Sequence, residues 1–216
     1  LKKHTTFAPL VSVVMPVYNR QAYIHRSIDS VLNQSYKNWE LITVDDGSND
    51  NSPLLLEMYS ANSPKIKVIH QSHNLLPAAR NNGIKNSTGD FITFVDSDDE
   101  FSNDHIELRV NYLMKHPAID LIHGGVKIIG SEFVPDKDNP EKLIHLSKCT
   151  IGATFFGKRQ VFTELSGFKD ISYSEDSEFL ERVTKKYKVK KVDFPTYIYH
   201  RETPDSITNT ITPFNQ

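Results

Sequence analysis

The apolar positions of this chain follow two regimes. Up to residue 99, short β-branched runs alternate with stretches of helical period. Residues 10–17 form the first run, which stops at Pro16 and Asn19. Ile24, Ile28, Val31 and Leu32 then fall on one helical face within residues 23–32. Residues 41–44 are a second run, ended abruptly by Asp45-Asp46-Gly47-Ser48. Ser52 and Pro53 open a helix bearing Leu54, Leu55 and Met58. Residues 66–69 read as a third strand and residues 78–84 as a helix closing toward Gly89. Residues 91–95 are a fourth strand that runs into Asp96.

Beyond residue 100 the pattern loosens. A helix is expected over 103–115, stopped by Pro117, and a mostly extended stretch over 119–129, broken by Gly124-Gly125. Residues 135–140 read as a charged, proline-bounded and mobile loop. A strand is expected over 150–156, and Val161, Leu165 and Phe168 suggest a short helix ending near Gly167. Residues 174–187 read as a helix with Phe179, Leu180 and Val183 inward, and residues 189–192 as a last strand. The tail after Pro195 reads as irregular. No internal repeat or low-complexity tract is present in the sequence.

Strands separated by helix-length segments imply an α/β fold with a mostly parallel sheet covered on both faces. Ligands of such sheets sit beyond the carboxyl ends of the strands. Three of the four strand ends are polar or acidic: Tyr18-Asn19, Asp45-Asp46 and the run Asp96-Ser97-Asp98-Asp99. The fold would gather them from distant parts of the chain.

The 216 residues suit a single domain, and 38% hydrophobic with 24% charged content supports a core rather than disorder. The formal charge of -2 lacks the basic excess of a nucleic-acid binder. Cys149 is the only cysteine, which excludes an internal disulfide framework and favours a reducing compartment. No apolar run is long enough to span a bilayer, and no secretory segment follows Lys2-Lys3-His4. The chain opens on Leu1 rather than Met, which leaves an anchor or further domain outside it open.

Three carboxylates within four residues at Asp96–Asp99 repel one another, and a hard divalent cation, Mg²⁺ or Mn²⁺, relieves that repulsion. Such a cation takes one or two carboxylates and completes its shell with phosphate oxygens. Acids at a helix start are also stabilising without a ligand. Asp46 could accept from a pyrimidine ring nitrogen, with Gly47 giving the tight turn a positive φ. An ordinary Asp-Gly turn reads the same way. An EF-hand calcium loop does not fit the spacing. Tyr18 could stack on a base, and Arg80 could meet a diphosphate or lie on the surface. Glu175-Asp176 lies in a first helical turn with Ser174 as N-cap. A carboxylate there could take the proton of an attacking hydroxyl, or simply favour the helix dipole. His200, after Tyr197-Ile198-Tyr199, could ligate a divalent metal.

In order along the chain, Val13-Val14-Met15-Pro16-Val17-Tyr18-Asn19, Asp45-Asp46-Gly47-Ser48, Ala79-Arg80-Asn81-Asn82-Gly83, Gly89-Asp90-Phe91-Ile92, Asp96-Ser97-Asp98-Asp99, Gly167-Phe168 and Glu175-Asp176 resemble glycosyltransferase family 2. The likeness spans roughly residues 10–201. It implies a GT-A fold in one domain, residues 1–216, with a nucleotide-binding half over 10–99 and an acceptor-binding half over 100–216. It further implies a metal-dependent, inverting transfer of a sugar from a nucleotide-diphosphate donor, a UDP-sugar, to a saccharide or lipid-linked acceptor, in polysaccharide or glycoconjugate synthesis. Asp46 resembles the residue that pairs with uracil, with Pro16, Val17, Tyr18 and Asn19 around the nucleoside and Arg80 near base and phosphates. Asp96, Ser97 and Asp98 resemble the family's DxD element, with Asp96 toward ribose or metal and Asp98 the direct metal ligand. Asp176 resembles the catalytic base, and His200 a tail histidine that holds metal and diphosphate. The resemblance also implies a cytoplasmic protein peripheral to the inner membrane face. A QxxRW-type element is absent, the single tryptophan being Trp39, so transfer of single sugars is expected rather than polymerisation. The rival readings are a sugar-nucleotide nucleotidyltransferase, disfavoured by the glycine-free Pro16-Val17-Tyr18-Asn19-Arg20, and a non-catalytic binding module.

Overall fold

A computed structural model of the chain describes residues 8–136, 139, 141–171, 174–204 and 206. The first half is β1 (Val11–Val17), α1 (Ile24–Leu32), β2 (Trp39–Asp45), α2 (Ser52–Asn62), β3 (Ile66–His70), α3 (Leu75–Asn86) and β4 (Phe91–Phe94). The second continues with β5 (Glu100–Phe101), α4 (His105–Lys115), β6 (Leu121–His123), β7 (Val126–Ile129), β8 (Phe133–Pro135) and β9 (Leu143–His145). It ends with β10 (Phe156–Lys158), α5 (Arg159–Glu164), α6 (Glu175–Lys186), β11 (Val189–Lys191) and β12 (Tyr197–His200).

Seven strands form the main sheet in the order β11-β6-β10-β4-β1-β2-β3. All neighbours run parallel except β10, which is antiparallel to both β4 and β6. All seven residues of β1 are buried, as a central strand covered on both faces requires. The pleat divides them. Val11, Val13, Met15 and Val17 join Ile24, Ile28 and Val31 of α1, Leu56 of α2 and Ile106, Val110 and Leu113 of α4. Val14 faces the other way, with Ile84 of α3, Val161 and Phe162 of α5, and Phe179 and Val183 of α6. The helices thus clamp the sheet, and its carboxyl edge stays open for polar residues.

Three expectations from sequence are corrected. Residues 150–156 are not one strand: Gly152–Thr154 is a 3-10 turn and only Phe156–Lys158 enters the sheet. The tail is not wholly irregular, since β12 joins a small sheet with β5 and β7. Ser174 precedes α6 but makes no side-chain cap; it sits at φ 65°, in the left-handed region. Residues 119–129 do break at Gly124-Gly125, and the two pieces, β6 and β7, enter different sheets. Residues 137, 138 and 140 of the loop over 135–140, the Ser172-Tyr173 pair, residues 1–7, 205 and 207–216 lie outside the described residues.

Candidate functional site

The strand ends meet as the alternation implied. Val17 pairs with Asp45 and Val14 with Phe94 in parallel register, so the loops after β1, β2 and β4 leave the sheet side by side. The first two are laced together: the Asp46 amide donates to the Val17 carbonyl (2.8 Å), the Asn19 amide to Ser48 Oγ (2.9 Å) and the Asn49 amide to Asn19 Oδ1 (2.9 Å). Asn19 holds φ 51°, which an Asn tolerates better than most residues. Pro16 and Val17 are buried, and the Val17 side chain belongs to the core rather than to the cleft.

Asp46 is 3% exposed. Its Oδ1 accepts from Gln71 Nε2 (2.7 Å) and from the Asn74 amide (2.9 Å). Gly47 has φ 75°, and a Cβ there would lie 2.9 Å from the His73 nitrogen, so only glycine lets this turn seat against residues 71–74. The His73 ring stacks on Tyr18, centroids 4.0 Å apart. Its Nδ1 is 3.1 Å from the Asp46 carbonyl oxygen and 2.9 Å from Asp46 Oδ2. A flat heteroaromatic ring therefore already lies on the half-exposed face of Tyr18 with a nitrogen beside the buried carboxylate.

The acidic run follows β4, on the other side of β1 from β2. Asp96 accepts from Arg80 Nη2 (3.0 Å), and Ser97 is buried. Asp98 is pushed up to about 6, first by burial and then by the neighbouring Asp96 charge. Arg20 Nε stands 3.8 Å from Asp98 Oδ2, and Arg26 donates to the Asp98 carbonyl oxygen. Asp99 is fully inside: it accepts from Tyr197 Oη (2.6 Å) and from the His200 amide (2.8 Å). It is a pin between the acidic run and β12, and burial together with Asp96 and Asp98 raises its carboxyl well above the usual range. The His200 ring sits between two glutamates, Nδ1 2.6 Å from Glu202 and Nε2 2.9 Å from Glu100.

The donor set at Asp96 and Asp98 fits a hard divalent cation. Two carboxylates lie adjacent, and Asp98 resists ionisation partly because Asp96 is there, the repulsion a cation removes. Among the described residues no three His, Cys, Asp or Glu side chains form a ready-made cage. A cation here would complete its shell from a ligand's oxygens.

Asp176 closes the cleft from the second half. Its Oδ2 accepts from the Gly152 amide (3.0 Å) and its Oδ1 from the Ser177 amide (2.7 Å). Burial first, then the Glu175 charge, pushes its carboxyl up to about 6. A Cβ on Gly152 would lie 2.8 Å from Asp176 Cβ and 3.2 Å from Arg80 Nη1, so the 3-10 turn approaches this closely only without a side chain. Arg80, 3% exposed, is the brace: Nη1 donates to Glu175 (2.8 Å) and Nη2 to Asp96 (3.0 Å), with the rings of Phe94 and Phe168 flanking its guanidinium. Those carboxylates raise its already high pKa further despite burial.

The sequence alone does not mark Gln71, His73, Arg26 or Gly152 as parts of this cleft. Gly152 carried a faint signal, a glycine inside an otherwise strand-like run. The others are reached by loops and helix faces whose meeting is a long-range event.

A mostly parallel central sheet with helices on both faces and acidic residues at its carboxyl edge is the GT-A glycosyltransferase architecture. TarS of S. aureus in complex with UDP-GlcNAc matches it with a TM-score of 0.75 at 21% identity, covering 94% of this chain and 61% of that one. The mannosyltransferase PcManGT of Pyrobaculum calidifontis, in complex with GDP-Man and Mn²⁺, matches with a TM-score of 0.72 at 21% identity, covering 89% and 57%. The chain belongs to glycosyl transferase family 2, whose model matches residues 12–170. The uncharacterized glycosyltransferase EpsJ of Bacillus subtilis is 32% identical over 93% of this chain and 63% of its own length. The Escherichia coli UDP-Glc:alpha-D-GlcNAc-diphosphoundecaprenol beta-1,3-glucosyltransferase WfgD is 36% identical over 66% of this chain and 57% of its own. An uncharacterized glycosyltransferase of Haemophilus influenzae is 39% identical over 65% and 54%. The chain thus spans a little over half to three fifths of these relatives. Among the described residues no helix is long and apolar enough to cross a membrane.

Proposed function

We propose that the chain transfers a sugar from a UDP-sugar to a hydroxyl of a saccharide or lipid-linked acceptor, with inversion and with a divalent cation. Residues 10–99 hold the donor and residues 100–216 supply the acceptor side. The observation that supports this most is the Arg80 brace, which ties Asp96 at the end of β4 to Glu175 at the start of α6 and so brings Asp176 toward the acidic run. The family membership, and the names of relatives and neighbours that take nucleotide sugars, support the donor class.

In this reading the base stacks on Tyr18 where His73 now lies and presents a ring N–H to Asp46. Pro16 and Val17 hold the floor of that pocket through their backbone, and Asn19 fixes the loop. Asp98, with Asp96, holds the cation. His200 reaches it only by exchanging one of its glutamate partners. The cation, when bound, neutralises charge on the departing diphosphate as a Lewis acid. Arg80 orients Asp96 through Nη2, and Ser97, between the two acids in sequence, is buried.

Asp176 takes the acceptor's proton. Each of its oxygens accepts one backbone N–H and keeps a lone pair for that proton. The acceptor oxygen bonds to the anomeric carbon on the face opposite the diphosphate, the carbon–phosphate-oxygen bond breaks, and nucleoside diphosphate leaves. A carboxylate raised to about 6 is mostly ionised at pH 7 yet more basic than a free aspartate, which suits general base work. The test is a panel of nucleotide sugars and saccharide acceptors incubated with Mn²⁺. Release of UDP with a glycosylated acceptor supports the reading. Release of pyrophosphate, or binding without turnover on any donor, would overturn it.

A further inference from the structure

The segment between β3 and α3 decides which base Asp46 can accept. A carboxylate has two oxygens with about two acceptor positions each. On Asp46 both positions of Oδ1 are filled, by Gln71 Nε2 (2.7 Å) and the Asn74 amide (2.9 Å). Among the described residues Oδ2 receives no such donor and is approached by the His73 ring at 2.9 Å. The carboxylate therefore offers one oxygen, not two.

Gln71 is not free to leave. Its Oε1 accepts from Asn82 Nδ2 (2.7 Å), and Asn82 Oδ1 in turn accepts from Asn86 Nδ2 (3.0 Å). Asn82 and Asn86 are one turn apart on α3, so a relay of three amides runs from the helix to the carboxylate. Its direction is set chemically. Ionised Asp46 only accepts, so Gln71 must turn its NH₂ toward it, and each amide behind follows.

We infer that Gln71, fixed by Asn82, makes Asp46 a single-acceptor site and thereby selects uracil over guanine. This inference rests on the donor-site reading above. Uracil presents one imino N–H between two carbonyls and needs one carboxylate oxygen. Guanine presents N1–H and an exocyclic N–H side by side and pairs fully only with both oxygens. With Oδ1 filled, one guanine donor is buried without a partner, and sites reject ligands strongly on that ground. His73 shows the geometry that remains: a flat ring on Tyr18 bringing one nitrogen to Oδ2. The same fold family accommodates both bases, as the UDP-GlcNAc and GDP-Man complexes of the two structural neighbours show.

The experiment is calorimetry of UDP and of GDP, each with Mn²⁺, on the wild-type chain and on Gln71→Leu, Asn82→Leu and Asn86→Ala. The wild type binds UDP more tightly than GDP. Gln71→Leu, which removes the donor at similar volume, lowers the UDP/GDP affinity ratio about tenfold or more. Asn82→Leu lowers it by less, and Asn86→Ala least. Thermal melting confirms that each variant is folded; Gln71 and Asn82 are only partly buried, so a folded variant is expected. A ratio unchanged in folded Gln71→Leu and Asn82→Leu, or a wild type preferring GDP, overturns the inference while leaving a nucleotide-sugar enzyme standing. A wild type that binds neither nucleotide sinks the donor reading and the inference with it.

Discussion

Asp46 and Asp176 belong to opposite halves of the chain and are held in different ways. Asp46 is held by neutral donors, an amide side chain and a backbone N–H, anchored in the regular β–α frame of the first half. Asp176 has two backbone N–H bonds, but burial and the neighbouring Glu175 charge raise its carboxyl to about 6. Arg80 alone supplies the compensating charge to that cluster from within the core. In the proposed reading the first centre recognises the donor and the second reacts. A recognition carboxylate gains from having one oxygen filled and the other left for its ligand, whereas a base or metal ligand must keep lone pairs and some excess proton affinity.

The sharpest way to break this contrast is to remove the brace. Arg80→Ala leaves Glu175 and Asp96 facing each other without a cation. A loss of about 3 kcal/mol in urea unfolding is expected, toward the low end for a broken buried pair because Asp96 is 31% exposed at its side chain. The Asp46 pocket, which shares no bond with Arg80, should still bind UDP. Next, Gly152→Ala puts a methyl against Asp176 and Arg80. A displacement of the base by a fraction of an ångström should lower kcat about a hundredfold with little change in donor KM. Smaller again, Asp98→Ala should weaken UDP-sugar binding in Mn²⁺ about tenfold, the equivalent of about 1.4 kcal/mol, and leave binding in EDTA unchanged. Calorimetry in both buffers checks it, and equal affinities for wild type in both would remove the metal from the account.

The smallest effect is the pH dependence. A raised Asp176 carboxyl holds its proton more tightly in the fold than in the unfolded chain. Its contribution to stability is therefore present below about 4 and lost as pH rises through about 6. Activity runs the other way, because the base must be ionised. kcat/KM should be flat above pH 7, half its plateau near 6 and fall about tenfold per unit below that. A stopped assay across pH 5–8 at fixed ionic strength reads this limb.

The two halves also differ in how much of them the sequence displays. β1 to β4 and their helices were legible to within a few residues because each strand is a continuous apolar run and each ends in polar residues. For β1, β2 and β4 that pattern has one physical cause, burial on both faces with an open carboxyl edge; β3, at the sheet's end, is only partly buried. Asp46, the Asp96–Asp99 run and Asp176 stand out in the sequence as acids, but each alone reads equally as a turn or a helix start; their expected roles come from the ordered resemblance to the family. β12 was not: four residues, Tyr197 to His200, find partners in β5 and β7 far away, and their burial comes from Asp99 and the core rather than from local pattern. The turn at Gly152 was misread as strand because Ile151, Ala153 and Phe155 alternate, while the close approach of Asp176 that forbids a side chain is visible only in space. Arg80 was visible as a cation on a helix but not as a brace, since Glu175 lies 95 residues away.

The account stands or falls on Asp176. Donor binding by calorimetry and sugar transfer by product analysis, measured side by side on Asp176→Asn with a donor and acceptor that the wild type uses, test it most directly. The expected result is UDP-sugar affinity within about twofold of wild type and transfer reduced by about a thousandfold or more, the scale of a lost general base. Transfer at the wild-type rate in the folded variant would contradict it.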